Sequence, residues 1–88
     1  MLNPIYENSF KKDVKQCKKR GKNMQNLSTV LKLLIEEKPL PPKHRNHKLV
    51  GNWKNYWECH IEPDWLLIYL TIKPDIYFAR TGSHSDLF

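Results

Sequence analysis

The strongest constraint in this sequence is an uninterrupted apolar run, Trp65-Leu66-Leu67-Ile68-Tyr69-Leu70. Turn chemistry closes it on both sides, with Glu62-Pro63-Asp64 before it and Lys73-Pro74-Asp75 after it. A continuous apolar run of strand length predicts a strand at the centre of a sheet. The run is far short of the roughly 20 apolar residues that a membrane-spanning helix needs. Trp57 to Ile61 and Ile76 to Arg80 read as further strands joined to it by those turns, so the sheet is mostly antiparallel.

The preceding half has helical periodicity. Ser9 reads as an N-cap, and Phe10, Val14 and Cys17 follow on one face of a helix over about residues 8–20. Its other face carries Lys11, Lys12, Lys15, Lys18 and Lys19, and Gly21 is placed to end it. Met24, Leu27, Val30, Leu31, Leu34 and Ile35 form the apolar stripe of a second helix, from about Met24 to Glu37. The short connection predicts an antiparallel helical hairpin. Residues 2–6 read as a short strand that Pro4 confines to an edge or a strand start. Pro39 stops the second helix, and polar, basic residues 39–55 read as a long surface loop. The expected architecture is α+β: a short N-terminal strand, a two-helix hairpin, then a mostly antiparallel sheet with the helices packed on it. With 88 residues and no internal repeat, the chain is expected to form a single domain over 1–88.

Composition narrows the functional classes. Fifteen Lys and Arg against nine Asp and Glu give a net charge of +6. Such a domain attracts nucleic acid, an acidic protein or an anionic surface, and charge alone does not choose among them. Two cysteines cannot build a disulfide framework and fit a reducing cytosol. The N-terminal residues show no basic segment followed by an apolar one, so no secretory signal is expected, and the predicted location is cytoplasmic.

All four histidines follow the helices. Strand ends and turns can bring His47, His60 and His84 to one sheet edge. Histidine titrates near neutrality, which suits acid–base work on a phosphodiester. RNA carries its own nucleophile, the 2′-hydroxyl. A metal-free cleaver then needs a base, an acid and cations for the charge that develops on phosphorus. His47, His60, His84, Asp64 and Arg80 supply all three. Each has a plain alternative: a packed or surface histidine, a turn-forming aspartate, a solvated arginine. Zinc is disfavoured. His44 and His47 are set among Lys43, Arg45 and Lys48, and adjacent Cys59 and His60 on a strand face opposite ways. Trp65, Tyr69 and Phe78 are expected in the core, whereas Phe88 either stacks on a base or docks the tail. The lysine face of the first helix is either solvated or a contact for ribosomal RNA or an acidic partner.

Three stretches together carry a resemblance: His47-Lys48-Leu49-Val50-Gly51-Asn52-Trp53-Lys54, Glu58 through Tyr69, and Ala79-Arg80-Thr81-Gly82-Ser83-His84-Ser85-Asp86-Leu87-Phe88. In order and spacing they resemble the YafQ branch of the RelE-like toxins of bacterial type II toxin–antitoxin systems. The N-terminal half matches only in pattern. The resemblance implies a RelE-like fold and metal-independent, cofactor-free cleavage of mRNA in the ribosomal A site by 2′-hydroxyl attack. It implies silencing by a cognate antitoxin, with operator DNA touched only through that complex and no membrane partner. It also implies a catalytic set of His47, His60, Asp64, Arg80, His84 and Phe88. In this scheme His84 is the main proton-transfer residue, most simply the acid, and His47 or His60 is the base, though the two roles can be exchanged. Asp64 orients an imidazole, Arg80 stabilises the phosphorane and Phe88 stacks on a base. Lys43, Arg45, Lys48, Lys54 and Glu58 are the expected substrate contacts, Glu58 because it shares a strand face with His60. Two alternatives stand beside this reading: a non-catalytic RNA- or antitoxin-binding module, and a gyrase-directed toxin on the same scaffold.

Overall fold

The computed structural model describes residues 1–88. The sheet contains β1 (Asn3–Tyr6), β2 (His47–Lys48), β3 (Trp57–Glu62), β4 (Trp65–Ile72) and β5 (Asp75–Gly82), in the order β1-β5-β4-β3-β2. The apolar run lies in β4, the middle strand, where Trp65, Leu66, Leu67 and Ile68 are wholly buried. β2–β3, β3–β4 and β4–β5 are antiparallel, and β1 alone runs parallel to its neighbour, β5. β1 is an edge strand, the position to which Pro4 confines it.

α1 (Asn8–Lys19) and α2 (Met24–Ile35) follow the predicted stripes. Phe10 and Cys17 of α1, and Leu27, Val30 and Leu34 of α2, enter one core with Cys59, Ile61, Trp65, Leu67, Tyr69, Ile76 and Phe78 of the sheet. α1 lies on β5 and α2 meets β3, so each helix of the hairpin uses the sheet as its floor. Both helices end in the same way. Arg20 caps α1, Gly21 follows at φ 78°, and the Gly21 and Lys22 amides donate to Lys18 and Cys17 carbonyls. In α2 the left-handed residue is Glu37 at φ 58°, and the Glu37 and Lys38 amides donate to Leu34 and Leu33 carbonyls. The second helix therefore stops at Ile35 rather than Glu37, before Pro39 acts.

Two further expectations are corrected. Glu7, not Ser9, is the N-cap of α1. The Ser9 hydroxyl donates instead to the Ala79 carbonyl of β5 at 2.8 Å, tying the start of α1 to the sheet. The stretch 39–55 is also more ordered than a plain loop. It contains short 3-10 turns at Pro42–His44 and Gly51–Trp53, and β2 between them pairs with β3.

One buried polar contact fixes the β4–β5 register at the end near the site. The Trp65 indole N–H donates to Thr81 Oγ1 at 2.9 Å, and that hydroxyl donates to the Leu66 carbonyl at 2.7 Å. Thr81→Val keeps the shape and removes the partner of a fully buried indole N–H. It is expected to destabilise the fold by about 2 kcal/mol. For a domain of this size that is a fall in Tm of roughly 10 °C. Urea and thermal unfolding measure it, and a change within about 0.5 kcal/mol would remove this bond from the account.

Candidate active site

β3 builds the centre of the site by alternation. Cys59 and Ile61 point into the core, which leaves Glu58 and His60 on the opposite face. β2 sets His47 directly across from Glu58. Glu58 is buried, and its Oε1 lies 3.3 Å from His47 Nε2 and 3.6 Å from His60 Nε2. The far side of each ring is held by backbone. His47 Nδ1–H donates to the Arg45 carbonyl at 2.6 Å, and His60 Nδ1–H to the Pro63 carbonyl at 3.2 Å. Arg45 adopts a left-handed conformation at φ 45°, an uncommon state for a residue with a side chain, and its carbonyl is the one that meets His47.

The third imidazole comes from α3 (His84–Leu87). Its ring Nδ1–H donates to Asp64 Oδ1 at 2.5 Å, and its backbone N–H donates to the same oxygen at 2.9 Å. Asp64 sits in the β3–β4 turn, so a turn residue orients this histidine. These two bonds from His84 hold the Asp64 carboxyl below its ordinary range. The rings form a row, with centroids 6.4 Å apart from His47 to His60 and 5.7 Å apart from His60 to His84. His47 and His84 are exposed and His60 is half-buried between them. Phe88, just beyond α3, is 62% exposed, so its ring stands free rather than docking the tail.

Arg80 shares the face of Glu58, because Glu58 pairs with Ile68 and Ile68 with Arg80 across β3, β4 and β5. That places its backbone two strand spacings from Glu58, roughly 10 Å. Its Nε and Nη2 donate to the Asp13 carboxylate of α1 at 2.6 and 3.2 Å. Asp13 also accepts the Thr81 amide at 3.1 Å. The bond to Asp13 raises the guanidinium pKa further. Arg80 is thus a fixed cation beside the site with Asp13 as its direct partner, and Asp13 has no local signature in the sequence.

The expected substrate contacts separate. Lys43 and Arg45 line a cavity of about 600 Å³ that reaches His60, Glu62 and Pro63, with Asn26 on its wall. Lys48, next to His47, has its ammonium 6.0 Å from the centre of the Trp57 ring. Lys54 is exposed beyond the Gly51–Trp53 turn, and no hydrogen bond or ion pair joins it to the histidines. Glu58 differs from expectation: it is buried against two imidazoles and serves the histidines rather than presenting itself to a polyanion. His44, outside the candidate set, is buried and its Nδ1–H donates to the His60 carbonyl at 2.6 Å. It braces the strand that carries His60. Burial pushes the Cys59 thiol up to about 12, which keeps it protonated and inert. No group of three or more His, Cys, Asp or Glu side chains is arranged to hold a metal ion.

Known proteins are similar to this chain in both sequence and fold. The family model described as the bacterial toxin of type II toxin–antitoxin systems, YafQ, matches residues 2–88. The mRNA interferase toxin YafQ of Escherichia coli strain K12 is 44% identical over 84 residues, covering 94% of this chain and 91% of that protein. In the crystal structure of the E. coli DinJ–YafQ complex, the similar chain is 42% identical with a TM-score of 0.93, over 100% of this chain and 99% of that one. A metal-bound toxin from Helicobacter pylori is 40% identical with a TM-score of 0.94, covering 100% of both chains. A family match over almost the whole length, on the same fold and with the histidine-bearing stretches inside it, means that this chain belongs to the YafQ family of type II toxin–antitoxin toxins.

Proposed function

We propose that this toxin is an mRNA endoribonuclease that acts in the ribosomal A site, by 2′-hydroxyl attack and without a metal. The observation that carries the reading is the row of His47, His60 and His84 with Asp64 bonded to His84. Cleavage requires one group to take the 2′-hydroxyl proton and another to protonate the leaving 5′-oxygen, each within about 2.6–3.2 Å of its target. His84 is the acid. Asp64 occupies its Nδ1 and thereby aims Nε2 outward, the arrangement by which a carboxylate fixes the tautomer and direction of an imidazole. His47 or His60 is the base, with Glu58 between them. Arg80 offers the phosphorane the guanidinium edge that Asp13 leaves open, the charge stabilisation a phosphoryl transition state needs. Phe88 provides an exposed face for a codon base, and Lys43 and Arg45 hold backbone phosphates beside His60.

The natural silencer is a cognate antitoxin. The E. coli relative occurs in complex with DinJ, and a net charge of +6 with five exposed lysines on α1 suits an acidic partner. Primer extension on ribosome-bound mRNA tests the activity. The toxin is first stripped of transition metal by a chelator, which is removed before addition to ribosomes in magnesium. Cuts confined to A-site codons are expected to be unchanged by stripping. Cuts restored only by adding copper or zinc back would replace the metal-free scheme, a comparison motivated by the metal-bound H. pylori relative. Folded toxin that cuts nothing would favour the binding-module or gyrase-directed readings.

A further inference from the structure

α3 carries two residues of the proposed site, His84 and Phe88, the latter by the Phe88 amide bonded to the His84 carbonyl at 2.9 Å. Yet α3 spans only four residues and buries none of them. A helix that short does not hold itself, since helix formation begins with an unfavourable nucleus. Its place must come from tethers. One is Asp64, which grips His84 itself. The other lies on the far side of the helix and belongs to no part of the site described above. Arg20, the C-cap of α1, places Nη1 2.5 Å and Nη2 3.2 Å from the two oxygens of Asp86.

The geometry assigns Arg20 the role of a positioning residue for His84 and Phe88, acting through Asp86. Asp86 is built into the start of α3 in three ways. Its Oδ2 accepts the Ser83 amide at 2.9 Å, and its own amide donates to Ser83 Oγ, closing a capping box. A Cβ added at Gly82 would stand 3.0 Å from Asp86 Oδ2, so the carboxylate rests against the backbone where α3 leaves β5. The guanidinium grips a group already fixed to the helix frame. A planar fork meeting a carboxylate on two oxygens fixes direction as well as distance, which an ammonium does not do. The sequence shows only that a C-cap arginine suits the helix dipole. The structure adds that it reaches a partner 66 residues away.

This inference rests on the proposed chemistry for its kinetic arm only. Arg20→Gln, Asp86→Asn and the double variant are compared with the wild type. The readouts are the cleavage rate at saturating ribosomes and amide hydrogen exchange at Leu87 and Phe88. Each single variant is expected to lose protection at those two amides and to cut about three- to five-fold more slowly, the range of an exposed ion pair. The double variant should be no worse than either single variant, because one interaction is removed in all three. Arg20→Lys should recover part of both signals. Far-UV circular dichroism and the exchange of β4 amides should stay unchanged. Unchanged exchange at Leu87 and Phe88 in Arg20→Gln would overturn the assignment, as would full cleavage activity despite lost protection. If the wild type cuts no RNA, the exchange data still judge the tether, and only the proposed chemistry fails.

Discussion

His84→Ala is expected to lower mRNA cleavage by about 10³–10⁴-fold while the protein stays folded, the scale on which a general acid acts together with its orienting group. Chemistry and position both lead to this result. His84 is the imidazole whose ring Nδ1–H is held by the Asp64 carboxylate, and it forms one exposed end of the histidine row. Truncation leaves the backbone bond from residue 84 to Asp64 and the capping box of α3 in place, so the helix keeps its frame. Primer extension of ribosome-bound mRNA with wild type and variant side by side measures the effect, with circular dichroism as the control. Cuts of equal strength from both proteins would remove His84 as the principal acid and pass that role to His47 or His60.

Asp64→Asn should also be severe, slowing cleavage by about 10²–10⁴-fold with little change in ribosome affinity. Asparagine is nearly isosteric but uncharged, and its amide can turn an N–H toward the ring and so present the wrong partner to Nδ1. The pH dependence follows from the direction of the shift. The His84 bonds lower the Asp64 pKa from 3.8, so the tether is complete above that value and is lost only as the pH falls below it. Asp86 behaves alike, its carboxyl held down first by Arg20 and then by the Ser83 amide. Neither carboxylate changes state between pH 5 and pH 8, so any slope of wild-type rate in that window belongs to other groups. Single-turnover rates across the window test both points. Wild-type rates from Asp64→Asn would reduce Asp64 to an ordinary turn residue.

Much of this was legible in the sequence because the informative residues are bracketed by strong local signals. Trp65 to Leu70 reads as a central strand, and the turn before it carries Asp64 at the end of the strand that bears His60. Cys59 and His60 part to opposite faces by simple alternation. What escaped was the set of contacts between segments far apart in the chain. Ser9 has the local marks of an N-cap, but its hydroxyl finds the Ala79 carbonyl across the fold. Glu58 is expected on the face of His60 as a substrate contact, but the pairing of β2 sets His47 over it, and a strand of two residues is too short to show any periodicity. Asp13 and Arg20 read as ordinary helix residues. Their partners, Arg80 and Asp86, lie 67 and 66 residues away, where no pattern of spacing can announce them.

The parallel pairing of β1 with β5 has a consequence in time. Asn3 to Tyr6 leave the ribosome well before their register partners, Asp75 to Phe78. The Ser9 bond to Ala79 closes a loop of comparable length. Until β5 is translated, β1 has no neighbour and α1 no sheet to lie on. Contacts this distant in sequence form late, after the entropy of closing the whole loop has been overcome. Until β5 and α3 have emerged, the row of three imidazoles is therefore incomplete.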